Sequence, residues 1–130
     1  MKKKVKKIII IAAATFLVVA AGFFFSITNG LAEGAKVQLN GISLEHIADG
    51  SYTGVYEFKR WSNTVVVHVA NHRITAIDIT KDMAGAEITG SGDEMVRRVI
   101  ERQDTKVDTI AGATVSSKAY LKAIENALEE

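Results

Sequence analysis

Residues 8–27 form an unbroken run of 20 uncharged, mostly apolar residues, directly behind five lysines within the first seven positions. No other feature limits the chain as strongly. As a helix rising about 1.5 Å per residue, the run spans about 30 Å, the thickness of a bilayer's hydrocarbon core. Basic residues ahead of such a span hold the N-terminus in the cytoplasm and send the rest outward. A cleaved signal peptide is the competing form. Its apolar region is usually about 7–15 residues, shorter than this one, although Gly30-Leu31-Ala32 offers a small-x-small cleavage site. The sequence predicts a retained single-pass anchor over 1–32, with cleavage after Ala32 as the alternative. The remainder lies outside the cytoplasmic membrane in both cases.

About 98 residues are left, enough for one modestly stable domain. The whole chain is close to neutral, with 16 basic and 15 acidic residues. Five of the 16 basic residues lie in the lysine block and all 15 acidic ones follow it, so 33–130 carries 11 basic residues and a net charge of −4. An acidic domain is a poor partner for nucleic acid, which needs clustered Lys and Arg. There is no cysteine. That excludes disulfides, thiolate metal sites, a cysteine nucleophile and a lipidated N-terminal cysteine. None of the three histidines forms an i,i+4 pair on a plausible helix, since His68 and His72 fall on an expected strand and its turn, so no zinc site is expected.

Residues 33–46 read as a linker and 47–130 as the domain, with Ile42, Leu44 and Ile47 as an apolar edge near their junction. Asp49-Gly50 signals a turn. Three strands are then expected: 52–60, 64–70 with Val65, Val67 and Val69 on one face, and 73–80 with Ile77 and Ile79 on one face. Asn71-His72 suits a two-residue hairpin turn, because Asn tolerates positive φ. A glycine-punctuated loop is expected over 81–92, with Gly85, Gly90 and Gly92. Ser91-Gly92-Asp93-Glu94 matches a capping box opening a helix that runs to about Gln103, with Met95, Val96, Val99 and Ile100 as its apolar stripe. After a loop over 104–114, with room for one short strand, a second helix is expected over 116–130 on Tyr120, Leu121, Ile124 and Leu128. Strands first and helices after make an α+β domain.

The most unusual stretch is 108–117, Asp-Thr-Ile-Ala-Gly-Ala-Thr-Val-Ser-Ser. Gly112 and Ala113 leave the backbone open to a bulky neighbour. The helix that follows supplies unpaired N–H groups and the positive end of its dipole, which suit a phosphate. Ser116 and Ser117 add hydroxyls. A plainer alternative makes Thr114 or Ser116 a helix N-cap and the glycine a turn.

This stretch resembles the flavinylation motif of the FMN-binding domain family. That family includes the flavin-bearing subunits of sodium-translocating NADH:quinone reductases and Rnf-type complexes, and small membrane-attached proteins of Gram-positive bacteria. The family pattern is Asp-x-x-(Ser/Thr)-Gly-Ala-Thr, and Asp108, Gly112, Ala113 and Thr114 match it. Ala111 stands where Ser or Thr is usual. Asp49-Gly50-Ser51-Tyr52-Thr53-Gly54 resembles the family's opening Asp-Gly-x-Tyr-x-Gly strand, and Gln103-Asp104 also fits. The likeness covers about residues 47–130. Loop 81–92 departs from the usual Thr-Pro-Gly type segment, and the chain has no proline.

The resemblance implies FMN joined through its phosphate to the Thr114 hydroxyl, a phosphoester linkage made from FAD by a separate, magnesium-requiring flavin transferase. Gly112, Ala113, Ser116 and Ser117 would surround the attachment, and Asp108 would belong to the segment the transferase recognises. The expected function is an extracytoplasmic electron carrier fed by a membrane dehydrogenase or the quinol pool. The alternatives are a flavin-dependent reductase of a small acceptor and a non-redox interaction module. No catalytic acid–base set is visible among Asp49, Asp78, Asp82, Glu87 and Asp93, which favours a carrier over a self-contained enzyme. Structural or solvated roles are expected for His46, His68 and His72. Ordinary packing or exposure is expected for Tyr56, Trp61, Met83 and Tyr120, each of which also has the chemistry to touch a flavin ring.

Overall fold

A computed structural model describes residues 2–83 and 90–129. The chain divides into two compact units, Met1–Leu31 and Ala32–Glu130. The first is helix α1, Lys2–Thr28, with no buried residue. Its mean hydropathy reaches 2.7 over an 18-residue window, so it is long and apolar enough to cross a membrane. Phe16, Leu17, Val18, Phe23 and Phe24 are all at least two-thirds exposed.

The second unit is an α+β domain, as the element pattern predicts. After a short helix α2, Leu31–Ala35, come strands β1 (Gly50–Tyr56), β2 (Asn63–Ala70) and β3 (Arg73–Asp82), then helices α3 (Ser91–Arg102) and α4 (Thr114–Leu128). The strands pair antiparallel in the order β1-β2-β3. Period-two alternation in β2 buries Asn63, Val65, Val67 and Val69 and turns His68 to the other face. Val65 and Val67 sit opposite Ile79 and Ile77, and a bulge beyond His68 brings Ile74 opposite Val69. Helices α3 and α4 close this face with Met95, Val99, Tyr120, Leu121 and Ile124. The Asn71-His72 hairpin turn forms as expected, with φ of 53° and 59° at its two residues.

The opening Asp-Gly-x-Tyr-x-Gly pattern has a physical account. Asp49 Oδ1 accepts the Asn71 N–H at 2.8 Å, tying the hairpin turn to the start of β1. The Tyr52 hydroxyl donates to the Ala48 carbonyl at 2.6 Å. Gly54 lies under α4, where an added Cβ would be 2.5 Å from the Ala127 nitrogen and closer still to the Ala123 carbonyl oxygen. Only a residue without a Cβ lets helix and strand approach this closely.

Four local expectations are corrected. The first strand ends at Tyr56, not Arg60, and Lys59–Trp61 is a 3-10 turn. Lys59 has φ of 50°, and the turn drives Trp61 inward against Val115 and Ala119. The capping box does not form. Gly90, left-handed at φ 69°, caps α3, Ser91 is buried as its first residue, and Glu94 pairs with Arg97 and Arg98. Residues 81 and 82 belong to β3 rather than to a loop, whereas Gly85 and Glu87 lie outside the described residues. Helix α4 starts at Thr114, two residues before the expected start, and 104–113 carries no strand.

The stretch 36–49 has no regular element, yet it is fastened along the domain. The backbone N–H groups of Asn40 and Gly41 donate to the Glu125 carboxylate at 3.2 and 3.1 Å, and Ile42 N–H donates to Asp104 Oδ1 at 3.2 Å.

Candidate functional site

The loop into α4 is shaped by small residues. Ala113 N–H donates to the Ile110 carbonyl at 2.9 Å, closing a turn over Ala111 and Gly112. Gly112 takes φ of 81°, and a Cβ added there would meet nothing within 4 Å. Ala113 is the N-cap residue and supplies no side-chain cap. The first helical amides therefore have neither an intrahelical partner nor a capping side chain.

Thr114 is the first residue of α4 and is exposed. Among the described residues its hydroxyl has no hydrogen-bond partner. Val115 points inward beside Trp61 and Ala119, which fixes how the first turn sits on the domain. Gly34 of α2 packs so closely there that a Cβ would overlap the Val115 side chain, and Lys118 Nζ donates to the Ala35 carbonyl at 2.5 Å.

The other residues expected at this site divide by exposure. Ser116 is half-buried. Ser117 is fully buried, and its Oγ accepts the Ile110 N–H at 3.2 Å. In this position Ser117 holds the loop from beneath. Asp108 is exposed, and its backbone carbonyl accepts from Arg98 Nη1 at 2.7 Å. That bond ties the start of the loop to α3 and leaves the Asp108 carboxylate facing solvent.

The remaining candidates have structural partners or stand apart. His68 bridges Ser51 and Asp78 at 2.8 and 2.9 Å on the outer face of the sheet. The His72 ring meets the Leu44 carbonyl at 3.1 Å, and His46 is exposed. No group of three or more His, Asp or Glu side chains gathers in a metal-holding arrangement among the described residues. Trp61 is 2% exposed and covered by the Arg60 guanidinium, 4.5 Å from its ring. Tyr56 is half-buried near Phe58, and burial raises its phenol above the usual value. The Tyr120 hydroxyl donates to Asp82 Oδ2 at 2.6 Å. Burial, then the Asp82 carboxylate, holds the Tyr120 phenol well above its ordinary value. Met83 is 70% exposed.

The sequence reading missed Glu125. Its carboxylate is fully buried and accepts from Asn40, Gly41, the Thr105 hydroxyl at 2.6 Å and Lys122 at 3.3 Å. Helical spacing carried the signal, since Glu125 lies four residues after Leu121 on the buried face.

A family model described as FMN-binding domain matches residues 61–129, a little over half of the chain. The match takes in β2, β3, both long helices of the domain and the whole 108–117 loop. No curated protein matches the chain.

Proposed function

Because the chain belongs to the FMN-binding domain family, we propose that it is a membrane-anchored, extracytoplasmic flavoprotein carrying electrons through FMN esterified to Thr114. The observation that carries this reading is the setting of Thr114. Its exposed hydroxyl, without a hydrogen-bond partner among the described residues, stands on the first turn of a helix, two residues after a glycine with open space above it.

These residues fit a phosphate-linked flavin. The uncapped N-terminal amides of α4 and the positive end of its dipole favour an anionic phosphodiester beside Thr114. Gly112 and Ala113 leave the approach clear. Attachment would proceed on a separate flavin transferase with FAD as donor. The Thr114 oxygen attacks the phosphorus on the FMN side of the pyrophosphate. The P–O bond to the adenylate half breaks, AMP leaves, and the hydroxyl proton passes to the transferase's base. Asp108, exposed at the start of the loop, is available for recognition by that enzyme. Bound FMN supplies electron exchange between two-electron donors and one-electron acceptors, and the protein supplies position and access.

The location gives a covalent bond its purpose. A non-covalent site of about micromolar affinity would be almost empty at nanomolar free cofactor. The lysine block ahead of α1 favours an N-terminus in the cytoplasm and a domain outside. Donors would then be a membrane dehydrogenase or quinol.

Intact-mass analysis of the full chain, co-expressed with a competent transferase and purified from membranes, tests the proposal. The expected result is a gain of one FMN less one water, mapped by peptide fragmentation to Thr114. Unmodified protein, or flavin mapped to another residue, overturns it.

A further inference from the structure

The domain is acidic overall, but five of its eleven basic residues line one face. Two open concavities, of about 660 and 840 Å³, adjoin along residues 106–108. Arg98, Arg102 and Lys106 line the first, and Lys36, Lys106 and Lys118 the second. Two carboxylates share these walls, Glu101 and Asp108, and Glu101 is already paired with Arg97 at 2.7 Å. Among the described residues Lys36, Arg102 and Lys106 have no carboxylate partner. Lys118 donates to a neutral carbonyl, so its charge stays uncompensated.

In the sequence, the first cation of this face follows closely behind the apolar helix. Helix α1 stops at Thr28, and Lys36 follows eight residues later. Gly34 and Ala35 are already packed against the domain at Val115 and Lys118. The six residues from Thr28 to Gly34 reach at most about 20 Å fully extended. A basic face on so short a lead from a membrane span is drawn to anionic headgroups, with a strength that salt screens.

We infer that the face formed by Lys36, Arg98, Arg102, Lys106 and Lys118 rests on the anionic lipid surface of the membrane that holds the chain. This rests on the reading of α1 as a retained anchor. Thr114 lies one helical turn before Lys118, so a group attached there is kept at headgroup level, where a lipid-dissolved donor surfaces. The hold is electrostatic and reversible, which leaves the 108–114 loop open to a modifying enzyme when the domain lifts.

The test uses the full chain reconstituted into vesicles of phosphatidylcholine alone or of phosphatidylcholine with phosphatidylglycerol, labelled with a membrane-impermeant amine-acetylating reagent. Mass spectrometry compares Lys36, Lys106 and Lys118 with Lys59 and Lys81, which lie off this face. The expected result is several-fold protection of the first three in the anionic vesicles only, abolished by about 0.5 M salt. In the triple variant Lys36→Gln, Arg102→Gln, Lys106→Gln, Lys118 should label equally in both lipids. Equal labelling of the native chain in both lipids overturns the proposal and leaves an acidic protein as the better occupant. Protection in phosphatidylcholine on adding inorganic phosphate overturns it in favour of a soluble anion site. Flotation with the vesicles is read separately: protein that fails to float refutes the anchor and the proposal together, whereas protein that floats without lipid-dependent protection refutes the proposal alone.

Discussion

Thr114→Val should remove covalent flavin completely and leave the fold almost untouched. The side chain is exposed on the first residue of α4, and its hydroxyl has no partner among the described residues. Had Thr114 been the N-cap, its loss would cost about 0.5–2 kcal/mol. The cap is Ala113, which makes no side-chain cap bond, so no cap is lost. The substitution keeps the β-branched volume and should stay within about 0.5 kcal/mol, as surface changes do. For a domain of about 100 residues that is a shift in Tm of at most about 2–4 °C. The effect on flavin is of another order. Without the ester, a site of micromolar affinity facing nanomolar FMN is filled at roughly 0.1%. The assay is co-expression with a transferase, acid precipitation, flavin fluorescence of the denatured band and intact mass, alongside thermal unfolding of the same preparation. Thr114→Ser, which keeps a hydroxyl, should retain labelling. Acid-stable, peptide-bound flavin in a folded Thr114→Val protein would refute the assignment. A Tm drop beyond about 5 °C would refute the account of Thr114 as free of structural duty.

Gly112→Val should block flavin loading in a protein that still folds, because φ of 81° is strained for a β-branched residue and the added bulk stands beside the acceptor; full stoichiometric flavin in this variant contradicts the steric account. Gly54→Ala should cost about 3 kcal/mol or more, lowering Tm by about 12 °C or more, since the new Cβ meets helix backbone and not a flexible side chain; unchanged thermal unfolding would show that α4 can shift at no cost. The Tyr120 phenol is raised in the folded state, so its contribution is complete below its unfolded pKa near 10 and is lost as pH rises above that value. Urea midpoints between about pH 9 and 11 should therefore fall more steeply for the native chain than for Tyr120→Phe, and parallel slopes would contradict this. Protease added to intact protoplasts should digest the region after Gly30 and spare the lysine-rich end; a soluble mature form beginning at Glu33 would refute the retained anchor and leave the flavin reading standing.

What could be read in the sequence follows from where side-chain pattern determines backbone. Val65, Val67 and Val69 alternate in β2, and Asn71-His72 carries its turn chemistry in its residue types, so strand, face and hairpin were all legible. The turn at Lys59–Trp61 was not. Lysine does not mark positive φ, and the force behind the turn is tertiary: Trp61 needs the pocket beside Val115, 54 residues later. The misplaced start of α4 has a similar cause. Its cap is an alanine, which leaves no polar signal, whereas the serines beyond it carry the residue type typical of a cap. The Ser91–Glu94 pattern had the opposite fault, a complete local signal overridden by burial of Ser91 and by the pairing of Glu94 with two arginines. At the candidate site the small residues marked the place, but which hydroxyls face outward depends on how Val115 and Ser117 seat the helix, and that is packing information.

That packing bears on how one acceptor is chosen among four. The 108–117 stretch holds hydroxyls at Thr109, Thr114, Ser116 and Ser117. Ser117 is buried and occupied by the Ile110 amide, and Thr109 and Ser116 are half-buried. Thr114 is the exposed one, directly after the small residues Ala111, Gly112 and Ala113. On the proposed function, a transferase acting on the folded domain would meet Thr114 as the most exposed hydroxyl of the stretch. On the same proposal, that exposure would leave retention of the cofactor to the ester. The two concavities that meet along residues 106–108 are open and charged, unlike the mostly enclosed, apolar sites that hold small molecules tightly. On the proposed function, a flavin tethered at the exposed Thr114 could meet a donor and an acceptor in turn, as an electron carrier requires.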